Sequence, residues 1–163
     1  MKNFSIIDDR TEREYWISRS IAVVGLVFGY DEDEKEYILA VQRGTGTPDP
    51  EFVGKWCLPC GYLDYDETLE EALQREVFEE TGVLLDKDCT ELLEVNSNPK
   101  SDKRQNVTFR YQAIAKENDI ANISLTTANS ELNEVSDIKW IPYSEVDNYE
   151  WAFNHKELIK QYW

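Results

Sequence analysis

Apolar residues fill Ser20 to Phe28 (SIAVVGLVF) almost without a break, and their β-branched character predicts a buried strand. The acidic stretch Asp31 to Glu36 predicts a turn, followed by a second strand over Tyr37 to Gln42. Gly44 to Lys55 (GTGTPDPEFVGK) concentrates glycine and proline and reads as a long loop, a length that is often functional beside a site. Trp56 to Tyr62 reads as one short strand. Thr68 to Thr81 gives the clearest helical pattern, with Leu69, Ala72, Leu73 and Val77 on one stripe. Thr68 and Glu71 have the spacing of a capping box, and Gly82 stands where a helix ends in a left-handed residue. Further strands are predicted over Glu91–Asn96, over Asn106–Ala115, where Val107, Phe109 and Tyr111 alternate with polar residues, and over Asp137–Pro142. Ser144 and Asn154 mark the starts of C-terminal helical pieces. Many strands with few helices imply an α+β domain, an α/β/α sandwich around a mixed β-sheet.

With 163 residues and neither a repeat nor a linker, the expected organisation is one domain over residues 1–163. No apolar run approaches the roughly 18 residues of a membrane helix, so no membrane contact is expected. Asp8 and Asp9 interrupt the N-terminus before any secretory pattern forms, and the expected compartment is cytoplasmic. The net charge of −16 repels polynucleotide backbone and anionic lipid, which excludes a long nucleic acid as the expected partner. A small phosphorylated substrate is compatible with it when cations mediate the contact. Three cysteines, Cys57, Cys60 and Cys89, suit a reducing compartment. Cys57 and Cys60 form a C-x-x-C pair, but only Cys89 and the lone His155 remain to complete a zinc site, and Leu58-Pro59 replaces the helix start of a redox motif. Packing roles are expected for them. A homodimer is compatible with a domain of this size, and no sequence feature requires one.

The predicted helix has a second face. Glu76, Glu79 and Glu80 stand at i, i+3 and i+4 and share a patch, with Glu67, Glu70 and Glu71 adding charge near the helix start. Like charges at this spacing cost a few tenths of a kcal/mol per pair unless something cationic binds. Glu79 and Glu80 also sit in the last turn, where the helix dipole disfavours anions. Hard oxygen donors of this kind suit Mg²⁺ or Mn²⁺. Three glutamates on a helix are, taken alone, more often a solvated face.

The surrounding residues alter that balance. Gly61, Glu67, Arg75-Glu76-Val77, Glu79-Glu80 and Gly82-Val83 reproduce G-x5-E-x7-R-E-U-x-E-E-x-G-U at every specified position. The segment resembles the Nudix box, and a chance match is on the order of 10⁻⁸ per window. The resemblance implies a mixed sheet between helices, with the box as a loop-helix-loop. It implies that Glu76, Glu79 and Glu80 coordinate the divalent cations, with the Gly61 carbonyl as a further ligand. It implies that Glu67 and Arg75 brace the loop through an ion pair. A later carboxylate often assists in the family, and here Glu134 is the candidate, with Glu131 in reserve. Two positions depart from the usual glycines, Cys60 and Asp66, and put loop geometry and substrate choice in question.

The activity so implied is metal-dependent hydrolysis of a diphosphate linkage in a nucleoside diphosphate derivative. Glu80 and Glu134 are the candidates for general base. The alternatives are a (d)NTP pyrophosphohydrolase and a Nudix-fold module that binds nucleotides without cleaving them. Arg43, at a strand end facing the long loop, is a candidate phosphate clamp. Trp16, Phe52 and Tyr65 are candidates to stack on a base. Pro99 lies sixteen residues past Val83, and Asn98 to Arg104 is similar to a segment of Nudix ADP-ribose hydrolases, which tilts the expectation toward a nucleotide sugar.

Overall fold

The computed structural model describes residues 2–101, 103–115 and 133–163, and the reserve candidate Glu131 lies outside them. It opens with a hairpin that the sequence pattern did not reveal, β1 (Phe4–Ile7) and β2 (Glu14–Ile17), which form a separate two-stranded sheet. Four-residue strands with apolar side chains on both faces give no alternation to detect. Ile7 and Trp16 lie on the same face of the hairpin, about two-thirds exposed.

Among the described residues the main sheet has seven strands: β3 (Ile21–Tyr30), β4 (Glu36–Arg43), β5 (Trp56–Cys57), β6 (Cys60–Tyr62), β7 (Leu85–Asn96), β8 (Val107–Ala115) and β9 (Val135–Pro142). β3 runs parallel to β8 from Ile21↔Val107 to Phe28↔Ile114, while its other pairings are antiparallel, so the sheet is mixed. Helix α1 (Leu69–Thr81) covers one face, and a 3-10 turn (Tyr143–Asn148) with helix α2 (His155–Tyr162) covers the other.

The core follows from the two-residue period of β3. Val23 and Val27 join Leu73 and Val77 of α1, while Val24, Leu26 and Phe28 join Leu158 and Ile159 of α2. Burial on both faces explains why β3 reads as a continuous apolar run rather than an alternating one. Gly25 sits between the two valines, where an added Cβ would lie 3.0 Å from Leu73 Cδ1, so the glycine lets α1 approach the sheet closely.

β3 and β4 pair only at Phe28↔Ile38, Gly29↔Tyr37 and Tyr30↔Glu36, and then diverge. Beyond that point β3 pairs with β6, whereas β4 pairs with β5 and, from Tyr37 to Arg43, with β9. The expected single strand over Trp56 to Tyr62 is therefore two short strands on different partners. Leu58-Pro59 makes the break, since proline lacks a ladder donor and restricts the residue before it. Pro59 still accepts a hydrogen bond from Gly25 N–H at 2.9 Å. The expected strand over Glu91–Asn96 begins earlier, at Leu85, with register shifts between Leu85 and Thr90 and between Leu92 and Glu94. Those irregularities accommodate the polar run Asp86 to Asp88, which masks strand character in the sequence.

Candidate active site

The divergence of β3 and β4 leaves a cleft, and the loop from β6 to α1 lies on its rim. Helix α1 starts where the sequence places it. Thr68 Oγ1 accepts from Glu71 N–H at 3.2 Å, and Glu71 Oε2 accepts from Thr68 N–H at 2.8 Å. Gly82, at φ 76°, closes the helix by donating to Phe78 O at 2.8 Å. Glu71 is thereby engaged as a cap, and Glu70 accepts from the Tyr111 hydroxyl at 3.2 Å. Neither is free for other chemistry.

Arg75 is the hub of the loop. Its Nε and Nη2 donate to Glu67 Oε2 and Oε1 at 3.0 and 2.8 Å, and Nη2 also donates to Tyr62 O at 2.9 Å. Glu67 Oε1 in turn accepts from Asp64 N–H at 2.7 Å, which ties the turn before the helix to the same guanidinium. The expected Glu67–Arg75 ion pair is thus present and bidentate. Asp66 adopts φ 67°, in the left-handed region that asparagine and aspartate tolerate best after glycine. Cys60 has no such requirement, because it lies in the extended strand β6. Neither departure from the family pattern distorts the loop.

The third face of the Arg75 guanidinium turns to the glutamates. Nη1 donates to Glu76 Oε1 at 2.9 Å and to Glu79 Oε2 at 3.1 Å. Glu80 Oε2 accepts from Cys60 N–H at 3.1 Å. Gly61 faces the Glu76 carboxylate so closely that a Cβ there would overlap it. Glycine at this position is a matter of space, not of backbone angle. Desolvation raises the Glu76 carboxyl above its usual range, opposed by Arg75, and it raises Glu80 well above that range, with Cys60 and Glu76 adding to the shift. The hydrogen bond with the Cys57 thiol, with burial next, pushes the Cys60 thiol well up, which disfavours the thiolate.

Glu76, Glu79 and Glu80 therefore share one wall, but among the described residues no three side chains already form a metal cage. Arg75 takes one oxygen each of Glu76 and Glu79, and a cation would draw on the others. The donor set fits a hard divalent ion, being all oxygen, and its two desolvated carboxylates lack full charge compensation.

The cavity over this wall has a volume of about 1140 Å³. It brings together Gly61, Glu76, Glu79, Glu80, Arg43 and Glu134. Glu134 is exposed at the rim, and its carbonyl accepts from Gly44 N–H at 2.6 Å. Arg43 lines the same cavity, near enough to Glu80 for their charges to interact, with Nη2 donating to Thr47 Oγ1 and its guanidinium 5.3 Å from the Phe153 ring centroid. Its Nε is buried without a partner among the described residues. Phe52 lines the cavity and packs on Phe153, ring centroids 4.6 Å apart. Trp16 and Tyr65 do not reach it. Trp16 projects from the hairpin, and Tyr65 makes an edge contact with Tyr15 at 5.9 Å.

The segment Asn98 to Arg104 does border the cavity, through Ser101, Lys103 and Arg104, although Pro99 itself does not. Arg104 donates to Asp49 Oδ2 at 2.8 Å and to the Tyr62 hydroxyl at 3.0 Å, joining this segment to the long loop and to β6. Arg19 anchors the ends of the same segment, donating to Ser97 O at 2.9 Å, to Asn106 O at 3.0 Å and to Gln105 O. Sequence reasoning missed Phe153, His155 and Arg110, which also line the cavity. Phe153 and His155 come from a C-terminal stretch with no motif, and Arg110 looks like any alternating strand residue.

The NUDIX domain family model matches residues 19–162. The chain belongs to the Nudix hydrolase family. It is 31% identical over 160 residues to an ADP-ribose pyrophosphatase of Methanocaldococcus jannaschii, covering 96% of this chain and 82% of the relative. The fold is similar to that of the NUDIX domain of Shewanella oneidensis NrtR complexed with ADP ribose, at a TM-score of 0.71 and 29% identity, covering 94% of this chain and 90% of that one. NrtR complexed with a 27mer DNA aligns at a TM-score of 0.65 and 30% identity, over 86% of this chain and 59% of that one. Among the described residues no helix is long and apolar enough to cross a membrane.

Proposed function

We propose that the protein hydrolyses the diphosphate linkage of ADP-ribose or a closely related nucleoside diphosphate sugar, using Mg²⁺ or Mn²⁺. One observation carries the reading: Glu76, Glu79, Glu80 and Arg43 line a single cavity whose volume suits a nucleotide sugar. The similarity to an ADP-ribose pyrophosphatase and to a domain complexed with ADP ribose supports that substrate over a nucleoside triphosphate.

Glu76, Glu79 and Glu80, with the Gly61 carbonyl, would hold the cations. Such ions neutralise phosphate charge and acidify water, which is the chemistry a phosphoanhydride needs. The chain's own residues supply the rest. Arg43 offsets negative charge on the diphosphate from within the same cavity. Glu80 or Glu134 accepts the proton of the attacking water as general base. Arg75, held by Glu67, fixes the loop and the first two glutamates. Attack at one phosphorus breaks the bridging P–O bond, and the bridging oxygen leaves on the other phosphate. The products are a nucleoside monophosphate and a sugar phosphate.

The test is a turnover screen with Mg²⁺ and with Mn²⁺ over ADP-ribose, other nucleotide sugars, dinucleoside polyphosphates and (d)NTPs. Preferred turnover of ADP-ribose to AMP and ribose 5-phosphate is the expected result. A preference for (d)NTPs would overturn the substrate assignment. A second reading, a module that binds ADP-ribose without cleaving it, draws on the similarity to the NrtR domain. Tight ADP-ribose binding without turnover in either metal would establish it instead.

A further inference from the structure

The chain's single histidine lines the cavity. His155 opens helix α2 and is only 5% exposed. Leu58 N–H donates to its Nδ1 at 3.0 Å, a buried contact across 97 residues of sequence. The break between β5 and β6 creates that donor, since Leu58 lies between the two strands and has no ladder partner.

This contact decides the tautomer. A nitrogen that accepts a hydrogen bond carries no proton, so the proton of the neutral ring is on Nε2. Among the described residues no hydrogen bond or ion pair engages Nε2, and the ring lines the cavity. Nε2 is not one of the buried atoms left without a partner, so its N–H is reachable from the cavity and available to a ligand there. The surroundings keep the ring neutral. Burial is the main cause, with the Arg110 and Arg43 charges adding to it, and together they lower its pKa to about 3. Phe153 packs on it at 5.2 Å between centroids and limits its rotation.

We propose that His155 is a substrate-binding residue, its Nε2–H donating a hydrogen bond to a phosphate oxygen of the bound nucleotide sugar. The inference rests on the function proposed above. A phosphate oxygen is the expected acceptor because Arg43 places a cation beside the ring, while Arg110 is paired with Glu94, and neither guanidinium offers an acceptor of its own. A neutral donor beside the Arg43 cation orients the phosphate without adding to the charge that must be released with product.

The decisive experiment is proton-detected ¹⁵N spectroscopy of the intact protein, in which one imidazole gives one unambiguous pattern. The free protein should show the Nε2–H tautomer across pH 5–8. Saturation with the α,β-methylene analogue of ADP-ribose and Mg²⁺ should shift Nε2, and adenosine should not. Bound analogue with Nε2 unmoved overturns the proposal, as does an equal shift with adenosine. Failure of the analogue to bind overturns the functional reading and the subsite with it.

Kinetics add a second readout. In His155→Asn the short amide can still accept from Leu58 N–H but no longer reaches the cavity. Its KM for ADP-ribose should rise about tenfold at nearly constant kcat and unchanged thermal stability. An unchanged KM would mean that His155 only braces the Leu58 turn.

Discussion

Arg75 and Glu67, eight residues apart, form a two-pronged ion pair at 2.8 and 3.0 Å that holds the loop before α1 against the helix itself. The same guanidinium reaches Glu76 and Glu79. Arg75 is accordingly bound more firmly to its proton, with Glu67 the largest contributor, while Glu67 is held below the usual carboxylate range by Arg75. Both side chains are largely covered, so solvent screens the pair only in part.

Glu67→Gln should therefore do two things. Loss of the charged pair should lower stability by about 1–3 kcal/mol, read from urea denaturation. Because Asp64 N–H and Arg75 both depend on this carboxylate, the loop should also lose its fixed position, and kcat should fall with it. A variant that loses stability but keeps full kcat would show that the brace does not position the glutamates.

Glu79→Gln and Glu80→Gln remove one charge each while keeping side-chain volume. Turnover should fall by orders of magnitude, and circular dichroism should be unchanged. The two differ in a useful way. Glu80 is desolvated and strongly raised, so neutralising it relieves a buried charge and should leave the metal-free protein as stable as the parent or more so. Unimpaired turnover in both variants would remove the glutamate wall from the mechanism.

Gly61→Ala tests the close approach at the loop. The added methyl would overlap the Glu76 carboxylate, which must then move away from the β6 backbone. Turnover should fall at least tenfold, while the Glu67–Arg75 pair keeps the loss of stability small. Equal activity in Gly61→Ala would mean that Glu76 need not lie against the strand.

What the sequence made legible follows from locality. The helix, its two caps and the glutamate spacing lie within Thr68 to Gly82, so the code for them is short-range, and each stands where periodicity placed it. Asp66 also behaves as its residue type predicts, at φ 67°. The split of Trp56–Tyr62 was not legible because it depends on β3 and β4 diverging, a property of strands whose partners lie far off in sequence. Arg43 and Phe52 could be singled out because a long loop flagged their neighbourhood. Trp16 and Tyr65 were equally plausible by type, yet the hairpin carries one away from the cleft and Tyr15 engages the other. Phe153 and His155 reach the site through α2 packing on the opposite face of the sheet from α1. No local pattern could announce that, and the His155–Leu58 contact had no sequence signal at all.

That contact also makes a prediction about acid stability. The His155 pKa is depressed from 6.5 to about 3 in the folded protein, so the unfolded chain binds its proton first as pH falls. Between those values the unfolded state carries more protons than the native state, and stability must decline with falling pH on account of this residue. The contribution is present above pH 6.5 and is lost progressively toward pH 3, with a magnitude on the order of a few kcal/mol for so large a shift. His155→Asn has no proton to gain and keeps an acceptor for Leu58. Urea unfolding across pH 4 to 7 should therefore show a flatter decline in the variant than in the parent. Parallel curves would mean that the ring is protonated within the native fold, and a charged ring could not accept from Leu58 N–H.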